Sequence, residues 1–314
     1  MKYLVTGGAG FIGSNMVDEL IRRGHEVTVL DDLSSGKKAN LELVASRVRF
    51  ILGTITNLDT VKRACEGADY VLHLAARTSV PRSVKDPIET NQVNIDGTLN
   101  VLVAARDAKV RRFVYAASSA AYGESPTLPK VETMQAEPIS PYGVTKYVGE
   151  LYARVFGKVY GLEFACVRYF NVFGPRQDPT STYSGVLSKF MLAVLQGHSP
   201  VIYGDGEQSR DFIYIENVVE QTLRAAETPE ASGVVLNGGT GARITLNEVV
   251  RQLGELTGRK IVANYEPARE GDIRDSLADI SLAKQTLGYE PRVQFREGLR
   301  RTWEWYQQHY STRE

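Results

Sequence analysis

The sequence has little of what marks secreted, membrane-bound or nucleic-acid-binding proteins. Its 314 residues include only two cysteines, Cys65 and Cys166, too few for a disulfide framework and not at a metal-ligand spacing. Because 37 basic residues balance 37 acidic ones, recognition of nucleic acid or an anionic membrane by bulk charge is excluded. The apolar run at residues 3–5 is far too short for a signal peptide or a membrane span. We therefore expect a cytoplasmic protein with buried reduced thiols, no metal, no nucleic-acid partner and no membrane partner.

What the sequence does have is a glycine-rich segment directly after its first apolar run. Gly7, Gly10 and Gly13 are three residues apart, and they are followed by a helical pattern of apolar residues: Met16, Val17, Leu20 and Ile21. At a strand-to-helix turn, backbone without side chains can approach a pyrophosphate at the positive end of the helix. The segment therefore predicts a dinucleotide site.

Asp31 ends the second strand pattern, eighteen residues after Gly13 and close to the ~20 expected for a ribose-binding carboxylate. It would accept hydrogen bonds from the adenosine ribose and repel a 2′-phosphate, so the predicted cofactor is NAD rather than NADP. The alternative is that Asp31 only caps the following turn. No arginine follows it closely to take a phosphate.

Strand-like and helix-like segments alternate along the first half of the chain. Strand patterns cover residues 2–6, 26–30, 48–52, 70–74, 113–117 and 164–169, and helical patterns cover about 58–65 and 88–108 and follow Tyr142. This alternation predicts an α/β fold, a doubly wound parallel sheet of the Rossmann type with a second, smaller α+β substrate lobe. We place the NAD-binding domain at residues 1–170 plus roughly 212–237, and the lobe at 171–211 and 238–314. Within the lobe, Thr245 and Glu248 fit a capping box that opens a helix.

Tyr142 and Lys146 are four residues apart and would share one face of a helix. A lysine ammonium beside a phenol favours the phenolate, so we expect the pKa of Tyr142 to fall from about 10 toward neutrality. That would provide a general base for an alcohol. Such a pair also occurs by chance on surface helices, and the rest of the sequence is what favours catalysis.

Ligands of such sheets collect at the carboxyl ends of the strands. The polar residues expected there include Asp31, His73, Ser118 and Asn171. We expect His73 to be a packed, neutral histidine rather than a base. Asn94, on the long helix, either faces the cofactor or caps an irregular turn.

With the glycine turn, Asp31, the His-Leu-Ala-Ala strand end, Ser118 and the Tyr142/Lys146 pair in this order, the chain resembles the extended short-chain dehydrogenase/reductases over essentially its whole length. Within that family it is most similar to the NAD-dependent UDP-hexose 4-epimerases, including those acting on N-acetylated sugars. The resemblance implies an isomerase with tightly bound NAD, a UDP-sugar substrate, and a homodimer formed through the helices near Ile88 and Tyr142.

The resemblance also implies a catalytic set of Ser118, Tyr142 and Lys146. Ser118 would hydrogen-bond the 4-hydroxyl of the sugar, with Ser119 as the neighbouring candidate; alternatively, Ser118 only satisfies backbone groups at a strand end. Related dehydratases and uronate decarboxylases carry acidic residues directly after this serine. Here Ser119 is followed by two alanines, so chemistry beyond oxidation and re-reduction at carbon 4 lacks its usual proton carrier.

By the same resemblance, the cofactor would be bound by residues of the strand ends and of the Tyr142 helix: Gly7, Gly10, Phe11, Ile12, Gly13, Asp31, Asp32, Ser35, Gly36, Thr54, Ile55, Leu74, Ala75, Ala76, Asn94, Tyr142, Lys146 and Tyr169. Two positions depart from the family pattern. Thr54 stands where an acidic residue near the adenine is usual, and a lysine often found near Thr78 is missing.

The implied substrate-binding residues are Thr78, Ser79, Ser118, Ser119, Asn171, Val201, Tyr203, Arg210, Arg269, Asp272 and Ser276. Asn171 and Arg210 would hold the diphosphate, because an amide and a guanidinium can bind phosphates without a large net charge. Tyr203 would stack on uracil, or is plain core. Arg269 would bind phosphate and Asp272 the uridine ribose, unless this is only a solvated charged loop.

Ser276 falls where the family carries either a bulky or a small residue. A serine leaves room for an acetamido group, which predicts tolerance of UDP-N-acetylglucosamine alongside UDP-glucose. The alternatives are a UDP-glucuronate 4-epimerase or another NAD-dependent sugar-nucleotide oxidoreductase. In a different class, the chain could be a non-catalytic NAD-sensing binding protein.

Overall fold

A parallel sheet of seven strands lies at the centre of the computed structural model, which describes residues 1–180, 185–268 and 273–310. The strands are β1 (Lys2–Thr6), β2 (Glu26–Asp31), β3 (Val48–Leu52), β4 (Tyr70–His73), β5 (Arg112–Ser118), β6 (Phe164–Tyr169) and β11 (Val234–Gly238). Their order is β11-β6-β5-β4-β1-β2-β3. The chain therefore moves outward from β1 in both directions, and the predicted doubly wound parallel sheet is confirmed.

Helices cover both faces of this sheet. They are α1 (Phe11–Arg22), α2 (Leu58–Cys65), α3 (Val80–Lys85), α4 (Pro87–Asn91), α5 (Gly97–Asp107), α6 (Pro141–Tyr160) and, from later in the chain, α8 (Ile215–Glu227). Met16 and Val218 belong to one buried apolar cluster, which joins α1 and α8 to one face. Val61, Val101 and Phe156 belong to a second cluster, which joins α2, α5 and α6 to the other face. Burial on both faces is why the strands read as nearly continuous apolar runs.

The helix predicted at 88–108 is not one regular α-helix. A π-helical turn, Gln92–Asp96, separates α4 from α5. Asn94 lies in this turn and is 1% exposed, with its amide directed at neighbouring segments rather than at solvent. The wider turn accommodates an inward polar side chain, and π-helical turns of this kind are frequent at functional sites.

Among its described residues, the second half of the chain also forms three short strand pairs and, besides α8, four further α-helices. The strands are β7 (Asn171–Phe173), β8 (Val201–Tyr203), β9 (Ser209–Arg210), β10 (Phe212–Tyr214), β12 (Ile244–Thr245) and β13 (Asn264–Glu266), paired as β10-β7, β12-β9 and β13-β8. The helices are α7 (Val186–Leu195), α9 (Leu246–Thr257), α10 (Ser281–Leu287) and α11 (Phe295–Tyr310). Strand β11 returns to the large sheet beside β6. The division into two domains stays a prediction.

Helix α6 has strong local start and stop signals. The Ser140 hydroxyl oxygen accepts the backbone N–H of Gly143 at 3.1 Å, and Pro141 occupies the first helical position. The helix is closed by Gly161, whose φ of 70° lies in the left-handed region that favours glycine. These signals fix the register of α6 and thus the direction in which Tyr142 and Lys146 point.

Both cysteines are free and buried, as predicted. Burial raises the pKa of Cys65 to about 12, so this thiol is held in its protonated form. Among residues 1–180, 185–268 and 273–310, no cluster of three His, Cys, Asp or Glu side chains could hold a metal ion. No helix within the same ranges has the length and apolar character needed to cross a bilayer.

Candidate active site

The glycine turn after β1 is too closely packed for side chains. Gly7 has a φ of +71°, and a Cβ there would lie 2.8 Å from the backbone nitrogen of Ala75. A Cβ on Gly13 would lie 2.1 Å from the carbonyl oxygen of Gly7. The first turn of α1 consists of Phe11, Ile12, Gly13 and Ser14, which carry no charge. The turn therefore offers free backbone at the positive end of α1, as a pyrophosphate requires.

The Asp31 carboxylate is fixed beside this turn. It is 7% exposed and accepts the N–H groups of Ala9 at 2.9 Å and Leu33 at 2.8 Å. Burial raises the pKa of Asp31, while these two backbone hydrogen bonds lower it. The bond to Leu33 is the turn cap that the sequence left open, and the bond to Ala9 ties the carboxylate to the glycine turn. Asp31 thus caps the turn after β2 and is also held beside the glycine turn, where its position suits binding of a ribose.

The remaining predicted cofactor residues of the first strands lie on the segments that follow β2, β3 and β4. Asp32 and Ser35 are exposed on the loop after β2, while Gly36 packs so closely that a Cβ would lie 2.9 Å from Asp31 Oδ1. Thr54 is partly buried and its hydroxyl lies 3.0 Å from that of Thr56. The segment of Leu74, Ala75 and Ala76 follows β4, and the Ala75 N–H donates to the Thr6 hydroxyl at 3.2 Å.

Two predicted cofactor residues direct their side chains elsewhere. Ile55 is 4% exposed, and its side chain fills the space beside Gly97 of α5. The Tyr169 hydroxyl pairs with the Thr222 hydroxyl of α8 at 2.7 Å, within the apolar core. Any contact of Tyr169 or Ile55 with a cofactor would therefore come from backbone atoms, a point that residue type alone could not indicate.

Ser118, Tyr142 and Lys146 come together at the carboxyl edge of the sheet. Ser118 ends β5 and is 8% exposed, and its hydroxyl oxygen accepts the N–H of Ala120 at 3.2 Å. Tyr142, in the first turn of α6, donates its backbone N–H to the Ser83 hydroxyl at 3.1 Å. The Ser118 hydroxyl lies close enough to the Tyr142 phenol to interact with it and lower its pKa. Serine and tyrosine hydroxyls are therefore adjacent, as a site that acts on an alcohol requires.

The expected fall in the pKa of Tyr142 is wrong for the protein without bound ligands. Burial raises the pKa of Tyr142 above 10, and the nearby Ser118 hydroxyl lowers it only in part. Burial also lowers the pKa of Lys146 to about 7, although the nearby Glu150 carboxylate raises it. The physical reason is desolvation, which disfavours both the phenolate and the ammonium.

Lys146 is positioned by strand β5 rather than by Tyr142. Its Nζ donates to the carbonyl oxygen of Ala116 at 2.7 Å and lies 5.0 Å from the centre of the Tyr115 ring. Gly149 makes this packing possible, because a Cβ there would lie 2.3 Å from the Tyr115 ring. A carbonyl dipole and an aromatic face both stabilise a cation. These two contacts therefore favour the ammonium form of Lys146, whereas burial disfavours it.

A buried ion pair lies one helical turn beyond Lys146. Arg168 of β6 donates from Nε and Nη2 to the two carboxylate oxygens of Glu150, at 2.9 and 2.7 Å. Their side chains are 2% and 0% exposed. Removing one partner of such a pair leaves an uncompensated buried charge, which costs about 3–5 kcal/mol. The pair therefore anchors α6 to β6 one helical turn beyond Lys146.

His73 is a packed, neutral histidine, as expected. Its Nδ1 lies 2.7 Å from the Thr6 hydroxyl and its Nε2 lies 2.9 Å from the Thr98 hydroxyl. Because Thr98 donates its own proton to the Asn94 carbonyl, it accepts from Nε2–H. Burial lowers the pKa of His73 to about 3, with a further lowering by the charge on Lys146. His73 thus links β1 and β4 to the π-helical turn.

Both the oxygen and the nitrogen of the Asn94 side-chain amide make hydrogen bonds within the protein. Its oxygen accepts the Arg77 N–H at 2.7 Å, and its nitrogen donates to the Arg77 carbonyl and to the Thr145 hydroxyl, both at 3.0 Å. Thr145 in turn donates to the Tyr142 carbonyl at 2.9 Å. Asn94 therefore positions the loop after β4 and the start of α6. The sequence patterns do not mark Thr145 or Arg77 as site residues. The one signal available was their position, since Thr145 precedes Lys146 and Arg77 follows Ala76.

The predicted substrate residues fall into two groups. In one, β7 pairs with β10, and the Asn171 amide donates to the Asp211 carbonyl at 3.3 Å. Arg210 donates to the Arg274 carbonyl at 2.9 Å, and the Ser276 N–H donates to the Ser209 carbonyl at 3.0 Å. Asn171, Arg210 and Ser276 are therefore placed on neighbouring segments of the second half of the chain.

The second group consists of the remaining predicted substrate residues, which lie on other segments. Val201 and Tyr203 form β8 with its partner β13, and the side chain of Tyr203 is partly buried. Thr78 is exposed and Ser119 is partly buried, while the Ser79 oxygen caps α3 by accepting the Arg82 N–H at 3.0 Å. Arg269 and Asp272 lie outside the described residues.

Together, the fold and the glycine turn are those of a dinucleotide-binding enzyme, with serine and tyrosine hydroxyls beside its cleft. The sequence profile of the NAD dependent epimerase/dehydratase family matches residues 3–239. A putative UDP-glucose 4-epimerase of Methanocaldococcus jannaschii is 38% identical over 96% of this chain and 97% of its own.

Solved structures agree with the sequence comparison. The UDP-glucose 4-epimerase of Thermotoga maritima, crystallised with UDP-glucose, is 41% identical with a TM-score of 0.93, over 98% of this chain and 99% of that one. The UDP-N-acetylglucosamine 4-epimerase of Methanobrevibacter ruminantium, in complex with UDP-N-acetylmuramic acid, is also 41% identical, with a TM-score of 0.93 over 97% of each chain.

The chain therefore belongs to the NAD-dependent epimerase/dehydratase family, and within it to the group of UDP-sugar 4-epimerases. The predicted family, enzyme class and NAD cofactor are confirmed. The glycine turn, the uncharged first turn of α1 and the buried Asp31 carboxylate all fit NAD.

Proposed function

We propose that this protein inverts carbon 4 of UDP-glucose or UDP-galactose, and also of UDP-N-acetylglucosamine or UDP-N-acetylgalactosamine. One observation carries the proposal: Tyr142 lies beside Ser118 at the end of β5, with Lys146 bound to the same strand through the Ala116 carbonyl, while the turn after Ser118 offers no ionisable side chain before Tyr122. Ser119 to Tyr122 form a 3-10 turn whose first three side chains are a serine and two alanines. This arrangement favours a reaction that needs a base at one hydroxyl and no second acid.

In this proposal Ser118 and Tyr142 act on the 4-hydroxyl of the sugar. Ser118 aligns the hydroxyl, and Tyr142 removes its proton while a hydride leaves carbon 4, which gives a 4-keto sugar. NAD, when bound, would supply the acceptor and the donor for this hydride. Tyr142 then gives the proton back to the oxygen on carbon 4, so no atoms or electrons are gained or lost.

Lys146 is proposed to stabilise the phenolate and to orient the cofactor. Its ammonium is preorganised by Ala116 and Tyr115, so little rearrangement is required when negative charge develops on Tyr142. A cationic nicotinamide nearby would oppose the desolvation that raises the pKa of Tyr142 in the protein alone.

Inversion requires the keto sugar to rotate while it stays bound, so that its other face is presented to the hydride donor. Asn171 and Arg210 are proposed to hold the diphosphate, which would leave the sugar ring free to rotate about its link to the nucleotide. Tyr203, Arg269 and Asp272 are proposed to bind the uridine. The placement of Asn171 and Arg210 on neighbouring segments supports a single diphosphate site.

The sugar range is proposed from Ser276. Its backbone is fixed by Ser209, and its short side chain is partly buried. A tyrosine at this position would fill the volume that an acetamido group needs. We therefore expect Ser276→Tyr to lower kcat/KM for UDP-N-acetylglucosamine by at least about tenfold relative to UDP-glucose. An unchanged ratio would count against Ser276 as the determinant, and Ser276→Ala is the matched control.

The decisive experiment is a substrate panel of UDP-glucose, UDP-N-acetylglucosamine and UDP-glucuronate, with products resolved by NMR. Inversion at carbon 4 of the first two supports the proposal. Turnover of UDP-glucuronate alone would support the uronate 4-epimerase instead. Retention of NAD without turnover of any of the three would support a non-catalytic binding protein.

We also propose a homodimer formed through α6. Val144, Leu151, Val155 and Val159 recur every four to seven residues along this helix and are 44%, 43%, 51% and 62% exposed. Ile88 in α4 is 70% exposed. A stripe of large apolar side chains on a helix surface is typical of a helix-to-helix interface, and a second copy of the same stripe would cover it.

A further inference from the structure

An arginine crosses the cofactor cleft. Strand β1 lies between β2 and β4 in the sheet, and the glycine turn follows β1. A side chain that joins the loop after β2 to the loop after β4 must therefore pass over the carboxyl end of β1. That end is where a dinucleotide lies in this fold. Arg77, from the loop after β4, is such a side chain.

Arg77 reaches both sides of the cleft. Its Nη1 donates to the Ser34 hydroxyl, and its Nη2 lies 3.8 Å from an Asp32 carboxylate oxygen, both on the loop after β2. Its Nε donates to Glu89 Oε1 in α4 at 3.0 Å. Ser34 also donates to Asp32, so the loop presents two linked acceptors to one guanidinium.

The Arg77 side chain forms a bridge across the cleft, and the backbone of Arg77, from which this bridge extends, is held in place. The Arg77 N–H and carbonyl are both held by the Asn94 amide, at 2.7 and 3.0 Å, and Asn94 is 1% exposed. The Arg77 side chain itself is 16% exposed. A side chain fixed at its backbone, at two hydrogen-bond acceptors and by an ion pair to Asp32 loses little further freedom when it spans the cleft.

We propose that Arg77 is a latch over bound NAD: it ties the loop after β2 to the loop after β4 and slows release of the cofactor. The 4-epimerase reaction returns each hydride, so the cofactor has no chemical need to leave between turnovers. A latch that retains NAD therefore suits this reaction. The inference rests on the NAD dependence of the family and not on which sugar is used.

The structure supplies a matched control for the latch. Arg82 also pairs with Glu89, with Nη2 to Oε2 at 2.7 Å, and its side chain is 42% exposed. Within the described part of the chain, the hydrogen bonds of the Arg82 guanidinium go to Glu89 and none reaches the loop after β2. Replacing Arg82 therefore removes an ion pair to Glu89 while the bridge across the cleft stays in place.

The test measures release of NAD from the loaded, full-length protein. Wild type, Arg77→Ala, Ser34→Ala and Arg82→Ala are loaded with NAD and diluted, and the retained NAD is quantified over time after the protein is denatured. We expect Arg77→Ala to release NAD about tenfold faster, which corresponds to the loss of one charge-assisted hydrogen bond. Ser34→Ala should release it a few fold faster, and Arg82→Ala within about twofold of wild type.

Two further measurements keep the result unambiguous. Thermal unfolding of the NAD-free variants shows whether Arg77→Ala is folded, and Ser34→Ala tests the same bridge from a site whose loss does not threaten folding. In a variant that combines Arg77→Ala with Ser34→Ala, the second substitution should add little to the release rate, because both remove the same contact between Arg77 and the loop after β2. Release from Arg77→Ala and Ser34→Ala at the wild-type rate, or slower, would overturn the latch. Equal acceleration in Arg82→Ala would assign the effect to Glu89 and overturn it as well.

Discussion

Among single residues, Tyr142 is the group whose loss should separate chemistry from binding. Its phenol hydroxyl is the atom proposed to move the proton, while its backbone N–H only joins Ser83. We expect Tyr142→Phe to lower kcat by about 10²- to 10⁴-fold, the range that general acid–base groups contribute, and to keep bound NAD. The measurement is turnover of UDP-glucose together with the NAD content of the purified protein.

Tyr147→Phe is the control for this substitution, because it removes a phenol hydroxyl from the same helix at a partly buried position. Turnover of Tyr142→Phe at close to the wild-type rate would refute the role of Tyr142 as base. Loss of NAD from Tyr142→Phe would instead assign the residue to cofactor binding.

The second expectation for a single residue concerns the charge on Lys146. Its pKa is about 7 in the folded protein and 10.5 when unperturbed, so the unfolded chain holds one more proton between these values. The free energy of unfolding should therefore rise with pH from about 7 to 10.5 through this group, by up to about 1.4 kcal/mol per pH unit, and stay level below pH 7.

Lys146→Met should remove this part of the pH dependence. Chemical denaturation of NAD-free wild type and variant at several pH values gives the difference between them. We expect wild type minus variant to increase between about pH 7 and 10. A difference that is constant or falls over this range would show that the Lys146 ammonium is not destabilised by burial.

Among the elements, the glycine turn illustrates how backbone proximity fixes residue type. A Cβ on Gly13 would meet the Gly7 carbonyl at 2.1 Å, so Gly13→Ala must displace the start of α1. We expect this variant to lose measurable NAD binding and about 1–3 kcal/mol of unfolding free energy. Calorimetric titration with NAD and chemical denaturation provide the two readouts.

Gly24, just beyond the other end of α1, is the matched control. It has a φ of +79°, but a Cβ added there would meet open space, with no other atom within 4 Å. Gly24→Ala should cost about 1–2 kcal/mol through its backbone conformation alone and leave NAD binding intact. NAD binding by Gly13→Ala at wild-type affinity would contradict the proposed approach of the pyrophosphate to this turn.

The π-helical turn connects several elements that the sequence pattern treated separately. Through Asn94 it meets the loop after β4 and helix α6, and through Thr98 it meets His73 of β4. The buried histidine is thus a structural member of the site. Its low pKa means that the folded state resists protonation, so stability due to His73 is lost as the pH falls from 6.5 toward 3.

For the whole molecule, the exposed stripe on α6 predicts association. We expect Val155→Glu combined with Val159→Glu to convert a dimer to a monomer, because two buried charges at an apolar interface would lack partners. Sedimentation velocity over a range of protein concentrations checks this. Val262→Glu, at a site that is 61% exposed and distant from α6 in sequence, should leave the mass unchanged.

A monomeric wild type, or a double variant that stays dimeric, would show that another surface is used or that the stripe has a different partner. Because α6 also carries Tyr142 and Lys146, a monomeric variant with reduced turnover would further indicate that the interface supports the site.

Local signals along the chain were sufficient to predict the sheet, most of its strands, the glycine turn, the Tyr142/Lys146 pair and the family. Strand and helix periods, cap residues and short motifs record their structure in neighbouring positions. The strands predicted at 48–52 and 164–169 therefore coincide with β3 and β6, and Thr245 accepts the Glu248 N–H at the predicted start of α9.

The packed molecule was needed for the pKa of Tyr142, the inward turn at Asn94 and the meeting of Arg77 with the loop after β2. Spacing placed Lys146 beside Tyr142, but burial, which depends on the packed sheet and helices, determines which way both groups shift. The chain has no arginine shortly after Asp31, and yet the fold brings Arg77 to Ser34 from forty-three residues away. Desolvation and long-range contacts arise when distant segments pack together, and no local pattern records them.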